Sequence, residues 1–234
     1  MPIVISIIIP VFREKGINVI IGELGYFLKD EKAEVIIVDC ETGCIVIQDV
    51  KGFCITRGTL EKGRSCQMNK GALNAKGEVL LFLHVDTSLP KETLDLVREC
   101  LKDPKIAGGA FDLEFKSDTL FFKIIGKCAS IRSRISRIPF GDQAIFIRKT
   151  VFDKLGGYRY LPIMEDVDLM KRLKKESYII KLLKPAVKTS PRRWKENGYF
   201  RTTFLNIIIQ VLFRFGFSPH MLARLYYGKQ YSSI

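Results

Sequence analysis

Residues 63–87 read GRSCQMNKGALNAKGEVLLFLHVDT, a basic helix that begins at a glycine and leads directly into an apolar strand. The strand, residues 79–83, contains only apolar side chains, so both of its faces must be covered, as in a parallel sheet between helices. It ends in His84-Val85-Asp86, and an acid just past the carboxyl end of such a strand lies where open α/β sheets bind ligands. With Gly63 and Arg64 nearby, the segment predicts a corner that holds a cation and a diphosphate.

The composition indicates a folded chain with a sizeable core. A length of 234 residues with 47% hydrophobic residues predicts one large domain, or one domain with a C-terminal appendage. Residues 3–11 are mostly β-branched and include Pro10, which fits a buried first strand better than a secretory leader. We therefore expect a cytoplasmic protein.

The six cysteines lack the paired CxxC spacing of a zinc site. Several lie inside apolar or helical runs, which predicts free and mostly buried thiols. Cys40 and Cys44 bracket a predicted loop, so a local disulfide or metal site is an alternative there.

Much of the formal net charge of +13 lies near the C-terminus. From residue 181 onward the chain has ten Lys and Arg residues and a single acid, Glu196, interleaved with aromatic side chains. Such a segment fits an anionic membrane surface, here the inner face of the membrane, or a phosphorylated substrate. We expect no nucleic acid partner, because no helix-turn-helix, RRM or zinc-finger pattern accompanies the charge.

Strand and helix patterns alternate through the first half of the chain, which predicts an α/β fold with a mostly parallel, Rossmann-like sheet and helices on both faces. Three predicted strands end in polar groups: those before residue 12, at Asp39 and at His84. Because parallel strands end at one edge of the sheet, these groups should converge there.

In the second half, residues 141–147 are predicted to form a strand and residues 170–175 a basic helix. We expect one domain over residues 1–195, with a nucleotide-binding half up to about residue 90 and an acceptor half from about 91. Residues 196–234 then form a basic, aromatic tail of amphipathic helices. The tail either lies on a membrane, packs on a partner chain or covers the sheet of its own domain.

The order of these motifs resembles the inverting glycosyltransferases of family 2, which have the GT-A fold. The resemblance covers most of residues 3–195. GRSCQMNKGALNAKGEVLLFLHVDT, GDQAIFIRKTVFDKLGGY and TSPRRW together resemble the small bacterial branch of arsenosugar-biosynthesis-type glycosyltransferases.

The resemblance implies where a nucleoside diphosphate sugar, most commonly a UDP-sugar, would bind. The end of the first strand would contact the nucleoside, the acid of the second strand the base, and the start of the following helix the diphosphate. The donor-binding residues implied are Pro10, Phe12, Glu14, Asp39, Gly63, Arg64, Asp86 and Arg193. For Asp39, a turn or cap role is the alternative.

His84-Val85-Asp86 takes the place of the Asp-x-Asp motif that binds Mg²⁺ or Mn²⁺ in such enzymes. Asp86 would therefore be the metal ligand, since these cations prefer oxygen donors, with His84 as an additional candidate. With His84 in place of an acid, the expected metal affinity before the nucleotide binds is modest.

Glu165-Asp166 resembles the acidic pair of the family, which implies Asp166 as the general base and Glu165 as a residue that orients the base or binds the acceptor. Taken without the other motifs, the acids at 165–168 would instead cap a helix. Asp142 and Gln143 lie where the family lines its sugar pocket. Trp194 would flank the acceptor, or serve as a buried anchor for the tail.

The expected activity is therefore sugar transfer, with inversion and with a divalent metal, to a hydroxyl acceptor that is lipid-linked or phosphorylated. Two alternatives belong to other classes. A nucleotidyltransferase would show a glycine-rich loop after the first strand, which residues 10–16 lack. A non-catalytic module that binds membranes or nucleic acids would use only the basic tail.

Overall fold

The computed structural model describes residues 3–12, 17–29, 32–39, 53–57 and 63–228. Its strands are β1 (Ile5–Val11), β2 (Ala33–Asp39), β3 (Phe53–Arg57), β4 (Val79–Phe82), β5 (Ile106–Phe115), β6 (Phe146–Arg148) and β7 (Ile179–Thr189). They form one sheet in the order β3-β2-β1-β4-β6-β5-β7, in which β6 runs antiparallel to both of its neighbours and the other pairs are parallel. The expected α/β fold with a mostly parallel sheet is confirmed.

The α-helices of the described residues are α1 (Ile17–Leu24), α2 (Arg64–Asn74), α3 (Thr93–Cys100), α4 (Leu120–Ser136), α5 (Lys149–Lys154), α6 (Glu165–Lys175), α7 (Arg192–Asn197), α8 (Tyr199–Arg214) and α9 (Pro219–Tyr227). Two buried clusters lie on opposite faces of the sheet. One joins β1 to α1, α3 and α4, and the other joins β1 and β4 to α2, α5 and α6. Side chains alternate along β1, so Ile7 and Ile9 enter the first cluster and Ile8 the second.

The second half of the chain differs from expectation in three places. Residues 141–147 do not form one strand: Gly141–Gln143 is a 3₁₀ turn, Ala144 has a left-handed backbone, and β6 begins at Phe146. The helix expected at residue 170 begins at Glu165, so both acids of the Glu165-Asp166 pair lie in its first turn. Strand β7 was not expected from the sequence.

The C-terminal helices pack on the domain. Ile209 of α8 and Leu222 of α9 share a buried cluster with Ile163 and Val167, which flank the start of α6. The domain boundary at residue 195 stays a prediction. In the part of the chain that the structure describes, no helix is both long and apolar enough to cross a membrane.

Three of the cysteines, Cys66, Cys100 and Cys128, lie in described helices, and none of these three forms a disulfide. Cys66 and Cys100 are half-buried and Cys128 is exposed, so the expected burial of these thiols is wrong. Cys40 and Cys44 lie outside the described residues.

Candidate functional site

The carboxyl ends of β1, β2 and β4 meet at one edge of the sheet. Val11 pairs with Asp39 in the register of β1 and β2, and the Leu83 N–H after β4 donates to the Ile8 carbonyl of β1 at 2.9 Å. Gln67 of α2, whose role was not predictable from the sequence, donates to the carbonyls of Val11 and Val38 and so holds the helix against two strand ends.

A cavity of about 1060 Å³ opens at this edge. The residues expected at the donor that line it are Pro10, Phe12, Gly63, Arg64, Asp86 and Arg193, and the candidate metal ligand His84 lines it as well. Asp39 is buried at the end of β2 and is not part of the cavity wall. Glu14 lies outside the described residues.

Arg64 connects the two halves of the site. Its Nε atom lies 2.7 Å from Oε1 of Glu165, and its Nη1 atom lies 3.1 Å from Nε2 of His84. The Glu165 carboxylate raises the pKa of Arg64, which stays charged, while burial raises the pKa of Glu165 against the opposing effect of Arg64. Glu165 is buried and does not reach the cavity, so its contact is with Arg64.

Asp166 lines the cavity at the start of α6, with both carboxylate oxygens held by backbone N–H groups. Oδ2 accepts from Gly141 at 2.6 Å and Oδ1 accepts from Val167 at 2.7 Å. The approach of Gly141 depends on its lack of a side chain, because a Cβ atom there would lie 2.7 Å from Nε2 of His84. Two fixed donors and a helix N-terminus hold an anionic carboxylate at the cavity wall.

Asp142 faces the same cavity beside Asp166, Asp86 and Arg132. Burial raises the pKa of Asp142 to about 6, the Arg132 guanidinium opposes the rise, and the Asp166 and Asp86 carboxylates add to it. Arg132, whose role the sequence did not reveal, stacks 3.5 Å from the Phe140 ring centroid and donates to Gln210 of α8 at 3.3 Å. The sequence could show only that Arg132 lies on a basic helix.

Gln143 is fully buried, and the structure does not bring it to the cavity. Its Oε1 atom accepts from Ser133 Oγ at 2.6 Å and from the Phe140 N–H at 3.1 Å, while its amide donates to the Phe111 carbonyl at 2.9 Å. It therefore fixes the turn that presents Asp142, instead of contacting a sugar.

Trp194 both lines the cavity and anchors the C-terminal helices. Its indole N–H donates to Thr203 of α8 at 3.1 Å, and its ring packs edge-on against Phe115, with centroids 5.0 Å apart. Arg193 lines the cavity next to it, stacked 3.5 Å from the Tyr226 ring centroid of α9. Both roles considered for Trp194 are compatible with this position.

The donor set fits a hard divalent cation only in part. In the described ranges, no group of three or more His, Cys, Asp or Glu side chains is arranged to hold a metal by itself. Mg²⁺ usually takes one or two carboxylates and completes its shell with phosphate and water, which Asp86 and a bound diphosphate would provide. The Nε2 atom of His84 does not fit as a ligand, because it lies 3.1 Å from the Arg64 guanidinium, whose positive charge would repel a cation. Burial, followed by the same charge, lowers the pKa of His84 well below its ordinary value.

The sheet order and the cavity at its carboxyl edge define a GT-A fold of the kind that binds sugar nucleotides. The chain belongs to glycosyltransferase family 2, because the family model described as "Glycosyl transferase family 2" matches residues 6–162. The protein is therefore a glycosyltransferase that uses a nucleotide sugar. Its resemblance to the arsenosugar-biosynthesis-type branch stays a prediction.

Many solved structures share the fold. The mannosyltransferase PcManGT from Pyrobaculum calidifontis, in complex with GDP-Man and Mn²⁺, has a TM-score of 0.64 and 18% identity over 96% of this chain and 70% of its own. Residues 1–349 of TarS from S. aureus have a TM-score of 0.57 and 16% identity over 98% of this chain and 72% of that one. No curated protein sequence matches the chain.

Proposed function

We propose that the protein transfers a sugar from a nucleoside diphosphate sugar to an alcohol, with inversion, a divalent metal and Asp166 as the general base. One observation supports this most strongly. Asp166, held by two backbone donors, lines the same cavity as Arg64 and Asp86 at the donor edge. A base and a diphosphate site on one cavity are what a direct displacement requires.

In the proposed reaction, the acceptor hydroxyl oxygen forms a bond to the anomeric carbon as the bond from that carbon to the diphosphate oxygen breaks. The hydroxyl proton passes to the Asp166 carboxylate, and the nucleoside diphosphate leaves with the bonding electron pair. Attack on the face opposite the leaving group inverts the anomeric configuration. A single carboxylate is sufficient, because the leaving diphosphate needs no proton.

The residues proposed to bind the donor contact different parts of it. Gly63 and Arg64 are proposed to bind the diphosphate, Pro10 and Phe12 the nucleoside, Arg193 a phosphate and Asp142 a sugar hydroxyl. Asp86 would hold the divalent cation, which, when bound, would neutralise charge on the leaving diphosphate. The family resemblance favours a UDP-sugar through Asp39, whereas the GDP-Man bound in a structural neighbour makes GDP-sugars the first alternative.

Membership of the glycosyltransferase family favours sugar transfer over both a nucleotidyltransferase and a non-catalytic module. The decisive experiment measures nucleoside diphosphate release from UDP-, GDP- and dTDP-sugars with Mn²⁺ or Mg²⁺. Asp166→Asn should lower turnover by about 100-fold or more while nucleotide affinity changes less than about threefold. Substantial residual turnover in that variant would remove Asp166 from the mechanism.

A further inference from the structure

Part of the cavity is apolar and lies beside the acidic part. Its wall includes Ile125 and Ala129 of α4, Phe115 of β5, Trp194 of α7 and Ile207 of α8. We call this region the apolar compartment. Its walls would contact hydrocarbon favourably and offer a sugar hydroxyl few partners.

Helix α4 gives the direction and length of the compartment. Arg132 interacts with Asp142 and Asp166, so this point of the helix lies at the acidic part of the cavity. Ile125 lies seven residues earlier on the same helix, about 10 Å away along its axis. The compartment therefore extends about two helical turns away from the proposed base.

Helices α4 and α8 lie side by side along the compartment. Phe121 of α4 stacks on Tyr199 of α8 with ring centroids 5.1 Å apart, and Arg132 of α4 donates to Gln210 of α8. The two contacts join residues with the same separation in sequence, so the helices run in the same direction. The two helices therefore contribute both to the wall of the compartment and to the outer surface of the pair.

The outer surface of the pair is rich in exposed apolar residues that do not line the cavity. They are Leu120, Ile124, Ile131 and Ile135 on α4, and Phe200, Phe204 and Val211 on α8. Cys128 lies on the same helical stripe as Ile124 and Ile131, and Ile207 on the same stripe as Phe204 and Val211. Because Cys128 and Ile207 also line the cavity, the apolar outer surface is continuous with the wall of the compartment.

The charge of these helices has one sign. Helices α4, α8 and α9 contain seven Lys and Arg residues and no Asp or Glu. Exposed apolar stripes with exposed cations beside them, such as Lys123, Lys127 and Arg201, match the headgroup region of an anionic bilayer.

We propose that the acceptor is a lipid alcohol presented by an anionic bilayer. The outer surface of α4 and α8 rests in the headgroup region, the hydrocarbon chain occupies the apolar compartment, and the hydroxyl lies beside Asp166. The transfer to this acceptor rests on the proposed function. The binding of the chain and of the bilayer does not, and can be measured without any reaction.

Trp194 is the single tryptophan of the chain and lines the compartment, so its fluorescence reports on occupancy. Bromododecanol and bromopropanol carry the same hydroxyl and the same quenching bromine on chains of different length. We expect saturable quenching by bromododecanol and none by bromopropanol at the same concentrations. Equal, non-saturating quenching by both alcohols would overturn the proposal that the compartment binds a hydrocarbon chain.

Ala129→Phe fills the compartment and should weaken the apparent affinity for bromododecanol by at least about tenfold. Cys128→Phe, at an exposed position, is the second filling variant in case the first fails to fold. Leu73→Ser removes an exposed apolar side chain outside the cavity and the stripes and should bind like the wild type. Unchanged binding by both folded filling variants would contradict the proposal.

The bilayer contact is tested by flotation with phosphatidylcholine vesicles that contain or lack phosphatidylglycerol. The wild type should float with the anionic vesicles, and Phe200→Ser/Phe204→Ser should partition at least about tenfold less, while Leu73→Ser matches the wild type. If the wild type stayed in the aqueous fraction, the proposal that the outer surface of α4 and α8 binds a bilayer would be overturned. Nucleoside diphosphate release by the wild type in aqueous solution is measured in parallel. If the wild type bound the vesicles but released no nucleoside diphosphate, that result would contradict the proposed function alone.

Discussion

Arg64 at the start of α2 and Glu165 at the start of α6 form an ion pair of 2.7 Å across the sheet edge. The pair joins the helix that begins the proposed donor site to the helix that carries the proposed base. Glu165 is only 3% exposed, so its charge depends on this partner, whereas the Arg64 side chain is 38% exposed. The ion pair therefore couples the position of Asp166 to that of the proposed diphosphate site.

Removal of Arg64 should be costly because it leaves a buried carboxylate without its cation. We expect Arg64→Ala to destabilise the fold by about 2 kcal/mol, less than for a fully buried pair because Arg64 is partly exposed. Glu165→Gln should cost about 1 kcal/mol, and the double variant less than the sum of the two. Urea unfolding at neutral pH measures all three.

The matched control is the exposed pair of Lys102 and Glu99, which are 2.6 Å apart with both side chains about 70% exposed. A double-mutant cycle on that pair should give a coupling below about 0.5 kcal/mol. If the cycle on Arg64 and Glu165 gave an equally small coupling, the ion pair would not join the two halves of the site.

The sequence predicted the strands of the sheet core well because each strand is recognisable from its own local pattern of residues. β4 is a continuous apolar run and β1 and β2 are mostly apolar, and the polar ends of these strands converge, as the rule for parallel sheets requires. Strand β7 was missed because residues 179–189 contain three lysines and a proline, and their pairing with β5 is a tertiary contact that the local pattern does not contain.

The site was predictable where a motif lies at a strand end or helix start, as with Arg64, Asp86 and Asp166. It was not predictable where the contact depends on distant elements. Gln143 was expected at the sugar, yet its side-chain amide forms hydrogen bonds with Ser133, Phe140 and Phe111. The packing of α4 on β5 brings Ser133 and Phe111 to it, and the local pattern does not contain this contact.

Asp86 is expected to carry the metal dependence of nucleotide binding. Asp86→Ala should lower the affinity for the preferred nucleoside diphosphate by about tenfold or more in the presence of Mn²⁺, and change it little without metal. Calorimetric titration with and without Mn²⁺ measures both values. Asp118→Ala, an exposed acid outside the cavity, is the control. Equal losses with and without Mn²⁺ would mean that Asp86 does not act through a cation.

Asp142 should make the stability of the fold depend on pH. Its pKa is about 6 in the folded protein against an ordinary value of 3.8, so the folded state retains a proton that the unfolded state releases. Stability from this group is therefore present below about pH 4 and is lost as the pH rises to about 6. Asp142→Asn removes this loss. The free energy of unfolding of the variant, relative to that of the wild type, should therefore rise by about 1–2 kcal/mol from pH 4.5 to pH 7.5, a value reduced for the partial exposure of Asp142.

Chemical unfolding of both proteins at the two pH values checks this expectation. The control is Asp118→Asn, at an exposed position outside the cavity. A difference between Asp142→Asn and the wild type that is constant with pH would show that Asp142 is not held with a raised pKa.

At Gly141, one added methyl group should impair catalysis more strongly than it impairs folding. A Cβ atom there would lie 2.7 Å from Nε2 of His84 and 3.3 Å from Oδ2 of Asp166, and His84 is itself held by Arg64. Gly141→Ala should therefore displace the turn whose N–H positions Asp166, and lower kcat by about 10- to 100-fold while costing about 1–2 kcal/mol of stability. Steady-state kinetics with the preferred sugar nucleotide, beside urea unfolding, separates the two effects.

Gly22→Ala is the matched control, because a Cβ atom at Gly22 would meet no atom within 4 Å. That variant should keep wild-type kcat. The second variant, Gly141→Ala/His84→Ala, removes the imidazole that the new methyl group would strike, so part of the stability lost in Gly141→Ala should return. If the double variant were destabilised by the full sum of the two single changes, the close approach of Gly141 to His84 would not be the cause of the defect.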